Sequence, residues 1–261
     1  MTTTKTVKPK KTQTKPEPPA DEVKLPSPAE DQDRWLEVFS IFVHDLESPF
    51  ATIKYLINLI ESGRFSVERA THQRLLNSSR IAVDRAESIL YDIMAVAKAG
   101  KAGIPVNVTN LVPDAVISEA IELAQGSIEE HGLEITYTNN SGNIPVEADP
   151  KLLKRVLDNL IYNAIRHSPA GGKIAVYTEP GERCVFIHVK DSGQGLGEVD
   201  PQELFEKYGQ LRMRAEGKHR GVGLGLYFCR LAASGMGGTI LADDHPKGGA
   251  VFSIKLNKAK E

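Results

Sequence analysis

Long apolar runs are missing from this sequence of 261 residues. No stretch of about 18 or more apolar residues occurs, so the expectation is a chain with no membrane span. The first residues carry no apolar core of the kind a secretory signal needs, and a cytoplasmic protein is expected. Cysteine is scarce as well: only Cys184 and Cys229 are present, both in apolar neighbourhoods and neither in a C-x-x-C or histidine spacing. Two buried free thiols fit that pattern better than a disulfide framework or a zinc site. An excess of charge of one sign is also missing. Lys and Arg number 32 against 34 Asp and Glu, a net charge of -2, which gives no general attraction to nucleic acid or acidic lipid.

Residues 1 to about 30 have almost no large apolar side chains and are rich in Lys, Thr and Pro. Such a segment cannot bury enough surface to offset its ordering entropy and is expected to be a disordered tail. From Asp33 the pattern changes. Leu36, Phe39, Val43, Leu46, Phe50, Ile53, Ile57 and Ile60 follow alternating steps of three and four, a heptad seam along one long helix. Pro49 interrupts its hydrogen bonding and Gly63 ends it. A second helix is expected from near Ser66, with Leu76, Ser79, Val83, Ala86, Leu90, Ile93 and Ala97 at the same spacing and Gly100 and Gly103 at its end. One hairpin gives each seam a single partner helix, whereas two copies close a four-helix bundle, so a homodimer is expected.

The remainder mixes helix and strand signals. Helices are expected over residues 112–131, from Asp149-Pro150 onward, where Asp caps and Pro opens the first turn, and over 222–236. Strands are expected over 133–138, 173–178, 184–190, 239–243 and 250–256. The overall expectation is an α+β protein. It comprises a tail (1–30), a dimerising two-helix hairpin (31–101), and an α/β two-layer sandwich domain (102–261).

Four groups of residues have the composition of chemistry. His44 follows Val43 and so points off the seam. A lone surface histidine usually does nothing, but Asp45 beside it can take or orient an imidazole proton, and Pro49 distorts the helix where an exposed nucleophile needs room. Asn159 and Asn163 lie four apart on one helical face, with Arg166 a turn beyond. They form either a solvated polar face or a source of carbonyl oxygens for a hard cation such as Mg²⁺. Asp191-Ser192-Gly193-Gln194-Gly195-Leu196-Gly197 follows a strand and is either a tight turn or a loop whose carboxylate accepts from an exocyclic amine such as adenine's. Gly221-Val222-Gly223-Leu224-Gly225-Leu226 opens a helix, where glycines expose backbone N–H groups to a phosphate. It is neither a P-loop nor a dinucleotide fingerprint. The preceding Arg212, Arg214, Lys218, His219 and Arg220 are either a solvated loop or a lid over polyphosphate.

The order of these groups, from His44-Asp45-x-x-x-Pro49 through the Asn pair, Asp-x-Gly-x-Gly, Phe205 and Gly-x-Gly-x-Gly-Leu, resembles the sensor histidine kinases of two-component systems over about residues 33 to 257. The resemblance implies the gyrase, Hsp90, histidine kinase and MutL type of ATP-binding fold. It implies His44 as phosphoacceptor, with Asp45 assisting proton transfer. It implies an ATP site with Mg²⁺ on Asn163, assisted by Asn159, Arg166 and His167. Adenine would be read at Asp191 beside Gly193 and Gly195. Phe205 would stand before the lid, and Gly221, Gly223, Leu224 and Gly225 would form the second glycine box. The implied partner is the receiver domain of a response regulator. Ser48 stands where the family often carries Thr or Asn, a position implicated in dephosphorylating that partner; here a hydroxyl remains. Two rivals share parts of the pattern. An ATPase or serine kinase of the same nucleotide fold would not need His44, and a phosphotransfer scaffold would not need an intact ATP site.

Overall fold

The computed structural model describes residues 43, 46, 47, 49–62, 75, 76, 78–83, 86, 87, 89–91, 93, 94, 104–206 and 224–260. His44, Asp45, Ser48, Gly221, Gly223 and the basic residues between Arg212 and Arg220 lie outside this set, as does the side chain of Leu224.

The described residues before residue 95 are helical apart from the turn at Ser62. On the second helix only part of the expected seam is buried. Ser79, Ala82, Ala86 and Ile89 are buried, whereas Leu76, Val83 and Leu90 are exposed. On the first helix Val43, Phe50 and Ile57 are exposed too. Small side chains let the backbone of a neighbour approach closely, so the Ser/Ala face is the one closed within the chain. The larger residues, at heptad spacing, are left outward. Residue spacing alone defines two possible stripes here and does not say which one is inside.

The rest builds a sheet covered on one face by helices. Strands β1 (Thr109–Leu111) and β3 (Val146–Ala148) pair antiparallel as a small separate ribbon. Strands β2 (Glu134–Asn139), β4 (Lys173–Pro180), β5 (Cys184–Lys190), β6 (Thr239–Asp244) and β7 (Ala250–Asn257) form the main sheet in the order β2-β4-β5-β7-β6. Only β2 and β4 pair in parallel; β4–β5, β5–β7 and β6–β7 are antiparallel. A parallel neighbour requires a crossover, and α2 (Pro150–His167) lies in the one between β2 and β4. Helices α1 (Asp114–Glu130) and α3 (Leu224–Gly235) complete the helical layer.

Alternation in the strands decides which side chains enter the core. Ile174 and Val176 of β4, Val185, Ile187 and Val189 of β5, and Phe252, Ile254 and Leu256 of β7 are buried. They pack in one cluster with Leu153, Val156, Leu157, Leu160 and Ile161 of α2. Asp149 caps α2, its Oδ1 accepting from the N–H groups of Lys151 (2.9 Å) and Leu152 (3.2 Å). This fixes the rotation of the helix that carries the Asn pair. Helix α1 begins at Asp114 rather than at Val112, since Pro113 has a fixed φ suited to the helix entry. The helical stretch that carries Tyr91 touches this layer, Tyr91 standing edge-on to Phe228 at 6.3 Å, with the Arg155 guanidinium 3.7 Å from the Tyr91 ring centre.

Candidate nucleotide-binding site

Three chain segments meet β5 and α2: the loop from Asp191 and the turn between β6 and β7 at the end of β5, and the start of α3 against Asn159 of α2. Asp191 leaves the central strand β5 and is 3% exposed. Its Oδ1 accepts from the N–H of Gly193 at 2.8 Å and from that of Ala250 at 3.0 Å. Its own N–H donates to the Ala250 carbonyl at 3.0 Å. The carboxylate is therefore locked by one oxygen. The other, Oδ2, makes no hydrogen bond among the described residues, which suits an acceptor kept for a ligand amine. Gly249 packs so closely on this loop that a Cβ there would collide with the Asp191 carbonyl.

Two serines tie the loop to its surroundings. The Ser192 hydroxyl accepts from the Lys173 N–H at 2.9 Å, and the Ser192 N–H donates to the Ser168 hydroxyl at 3.4 Å. Gly193 lies against the His167 carbonyl, 2.5 Å from where its Cβ would be. The end of α2 and the Asp191 loop are thus held side by side, with the His167 and Arg166 side chains exposed at that end.

The two asparagines differ. Asn159 is 6% exposed; its amide nitrogen donates to the Arg155 carbonyl at 3.2 Å. Its Oδ1 faces Gly225, where a Cβ would stand 2.8 Å away. Asn159 thereby joins α2 to the first turn of α3, and Gly225 is glycine because a larger residue would push that amide aside. Asn163, one turn on, is half-buried, and its side chain makes no hydrogen bond among the described residues. Its oxygen is the one available to a cation. The donor set fits Mg²⁺, a hard ion that takes one or two protein oxygens together with phosphates and waters. Among the described residues no group of three or more His, Cys, Asp or Glu side chains is placed to hold a metal by itself.

Phe205 sits in a single 3-10 turn (Glu203–Phe205), is 5% exposed, and packs edge-on to Phe252 at 6.4 Å. It anchors into the core the point at which the chain departs toward residues 207–223. Sequence reasoning did not single out Ser168, Ser192 or Asp244 as parts of the site. Their contribution is a hydrogen bond across 19 or more residues, for which a sequence carries no spacing signal.

Residues 148–260 match the family described as histidine kinase-, DNA gyrase B-, and HSP90-like ATPase. The chain is 28% identical over 225 residues to the adaptive-response sensory kinase SasA of a Synechocystis species, covering 84% of this chain and 58% of that protein. It is 26% identical over 215 residues to the sensor histidine kinase YcbM of Bacillus subtilis, covering 82% and 69%. It is 26% identical to the sensor protein KdpD of Clostridium acetobutylicum, of which it spans 24%. The chain thus spans less than two thirds of KdpD and SasA. Among solved structures, the catalytic domain of histidine kinase ThkA is 27% identical and superposes with a TM-score of 0.52, covering 58% of this chain and 96% of that one. With the sheet order, the locked aspartate and the Asn-bearing helix in place, residues 148–260 match a histidine kinase-, DNA gyrase B-, and HSP90-like ATPase domain, and the chain as a whole is similar to sensor histidine kinases.

Proposed function

We propose that this chain binds Mg-ATP in the domain of residues 102–261, phosphorylates His44, and passes the phosphoryl group to an aspartate of a response regulator. The observation that carries the reading is Asp191, with one carboxylate oxygen locked by two backbone N–H groups and the other without a partner among the described residues. That is the arrangement an adenine reader needs, and it stands beside a helix presenting Asn163 and Arg166. A bound Mg²⁺ would offset phosphate charge. Asn163 would hold it, and Arg166 and the backbone of the Gly221–Gly225 segment would face the phosphates. Catalysis would then be positioning and electrostatics. In the transfer, an imidazole nitrogen of His44 forms the bond to the γ-phosphorus as the bond to the ADP oxygen breaks. The imidazole proton passes to Asp45.

Dimerisation belongs to the same proposal. The exposed rows Val43, Phe50, Ile57 and Leu76, Val83, Leu90 repeat at seven residues, the spacing that a second helical pair covers. The partner class rests on the likeness to sensor kinases; for ThkA, a complex with the response regulator TrrA has been solved.

The test is incubation with γ-labelled ATP. Acid-labile label that is lost in His44→Gln, with ATP binding retained, is the expected result. Acid-stable label points to a serine kinase. Binding of ATP without label points to an ATPase, and failure to bind at millimolar concentration points to a scaffold.

A further inference from the structure

We propose that Asp244 is a positioning residue for adenine recognition, holding the Gly193–Gly197 segment in the shape that lets Asp191 read the ring. This deepens the ATP-site reading and rests on it. Asp244 is the last residue of β6, on the far edge of the sheet from β2. Its Oδ1 accepts from the Leu196 N–H at 2.6 Å, bridging 48 residues. The side chain is otherwise exposed, so it adds nothing to the apolar core. Its hydrogen bond is a charge-assisted one to backbone, the stronger kind.

The position of that bond gives it meaning. The loop leaving β5 is fastened at its start by Asp191, through Ala250 and Gly193. It is fastened farther on at Leu196 by Asp244. Both Ala250 and Asp244 flank the turn between β6 and β7, which is itself closed by the His245 N–H donating to Gly249 (2.8 Å) and the Gly248 N–H donating to His245 (2.8 Å). One rigid turn therefore grips both ends of the segment 191–196. Gly195 supports the same conclusion. Its φ is +81°, and a Cβ there would fall on Asp244 Oδ1. The close approach at this glycine is to the Asp244 carboxylate. Any larger residue would displace the group that holds Leu196.

The full chain in three forms tests this: wild type, Asp244→Ala and Asp244→Asn, each titrated with Mg-ATP and with Mg-GTP, with hydrogen exchange at the Leu196 amide followed in parallel. Asp244→Asn keeps an oxygen acceptor. Asp244→Ala is expected to weaken ATP binding by about tenfold, the scale of one lost charge-assisted bond. GTP binding should change far less, so the ATP preference narrows, and Leu196 exchange should accelerate. Asp244→Asn should recover most of the affinity, the preference and the protection. Gly195→Ala, which displaces the carboxylate without removing it, should behave as Asp244→Ala does and covers the case in which that variant does not fold. Wild-type affinity and preference in Asp244→Ala, or equal losses in the Ala and Asn variants, overturn the proposal while leaving the ATP site intact. Failure of the wild type to bind either nucleotide removes the ATP-site reading and this proposal with it.

Discussion

The two oxygens of Asp191 stand in different surroundings, Oδ1 bonded to backbone and Oδ2 unpartnered among the described residues, and two substitutions separate the roles proposed for them. Asp191→Ala removes both. It strands the Ala250 N–H, which is buried, and the Gly193 N–H, which is part-buried. A buried donor left without a partner costs about 1–3 kcal/mol. With water reaching one of the two, the sum is about 2–4 kcal/mol, weighted toward Ala250. For a domain of this size each kcal/mol lowers Tm by about 2–4 °C, so a fall on the order of 10 °C in the ligand-free protein is expected. Loss of ATP binding in Asp191→Ala would therefore conflate a missing reader with a loosened loop. Asp191→Asn keeps Oδ1 for both backbone donors and replaces Oδ2 by an amide NH₂, which cannot accept from the adenine amine. Its ligand-free Tm should stay near wild type. Its affinity for Mg-ATP should fall by about 10- to 100-fold, the worth of one hydrogen bond to a charged group. Thermal unfolding without nucleotide and calorimetric titration with it read the two quantities separately. Asp191→Asn that binds ATP as tightly as wild type would refute the assignment of Oδ2, and Asp191→Ala as stable as wild type would refute the locking role of Oδ1.

Asn163→Ala should weaken the enhancement of ATP binding by Mg²⁺ by at least about fivefold while leaving metal-free binding nearly unchanged, measured by titration with and without Mg²⁺; an unchanged Mg²⁺ dependence counts against Asn163 as the ligand. Phe50→Glu combined with Val83→Glu should convert a dimer to a monomer by light scattering at micromolar concentration without shifting the unfolding of the ATP-binding domain, and a variant that stays dimeric excludes the exposed rows as the interface. His188 lies on the open sheet face between Tyr177 and Phe186, 2.7 Å from the Ser253 hydroxyl. Burial lowers its pKa, only partly offset by Glu179 at 3.6 Å. The unfolded chain then binds the extra proton first, so this group's contribution to stability is full above about 6.5 and declines as pH falls below it. Urea unfolding of wild type and His188→Gln from pH 7.5 to 5.5 should show a smaller acid loss in the variant, and parallel curves would discount the histidine.

Much of this protein is legible along the chain because its signals are local. The alternation in residues 173–178 and 184–190 found strands that run on to Lys173–Pro180 and Cys184–Lys190, since each side chain's burial in a sheet follows from its parity. Asp149-Pro150 marked the start of α2 because capping is settled within one turn. The two three-residue strands β1 and β3 gave no signal, being too short to show a period. The parallel pairing of β2 with β4 depends on where a whole helix packs. In the site, the sequence by itself determined which residue types stand in which order: an Asn pair on one helical face, an aspartate at a strand end, glycines beside it. It left open what each does. Only the tertiary structure decided that Asn159 joins two helices while Asn163 keeps its oxygen available, that Gly195 makes room for Asp244, and that Asp191 gives one carboxylate oxygen to two backbone N–H groups and leaves the other without a partner among the described residues. Those assignments depend on contacts between residues dozens of positions apart. Packing of the sheet and helices brings such residues together, and no pattern of neighbours along the chain encodes their meeting.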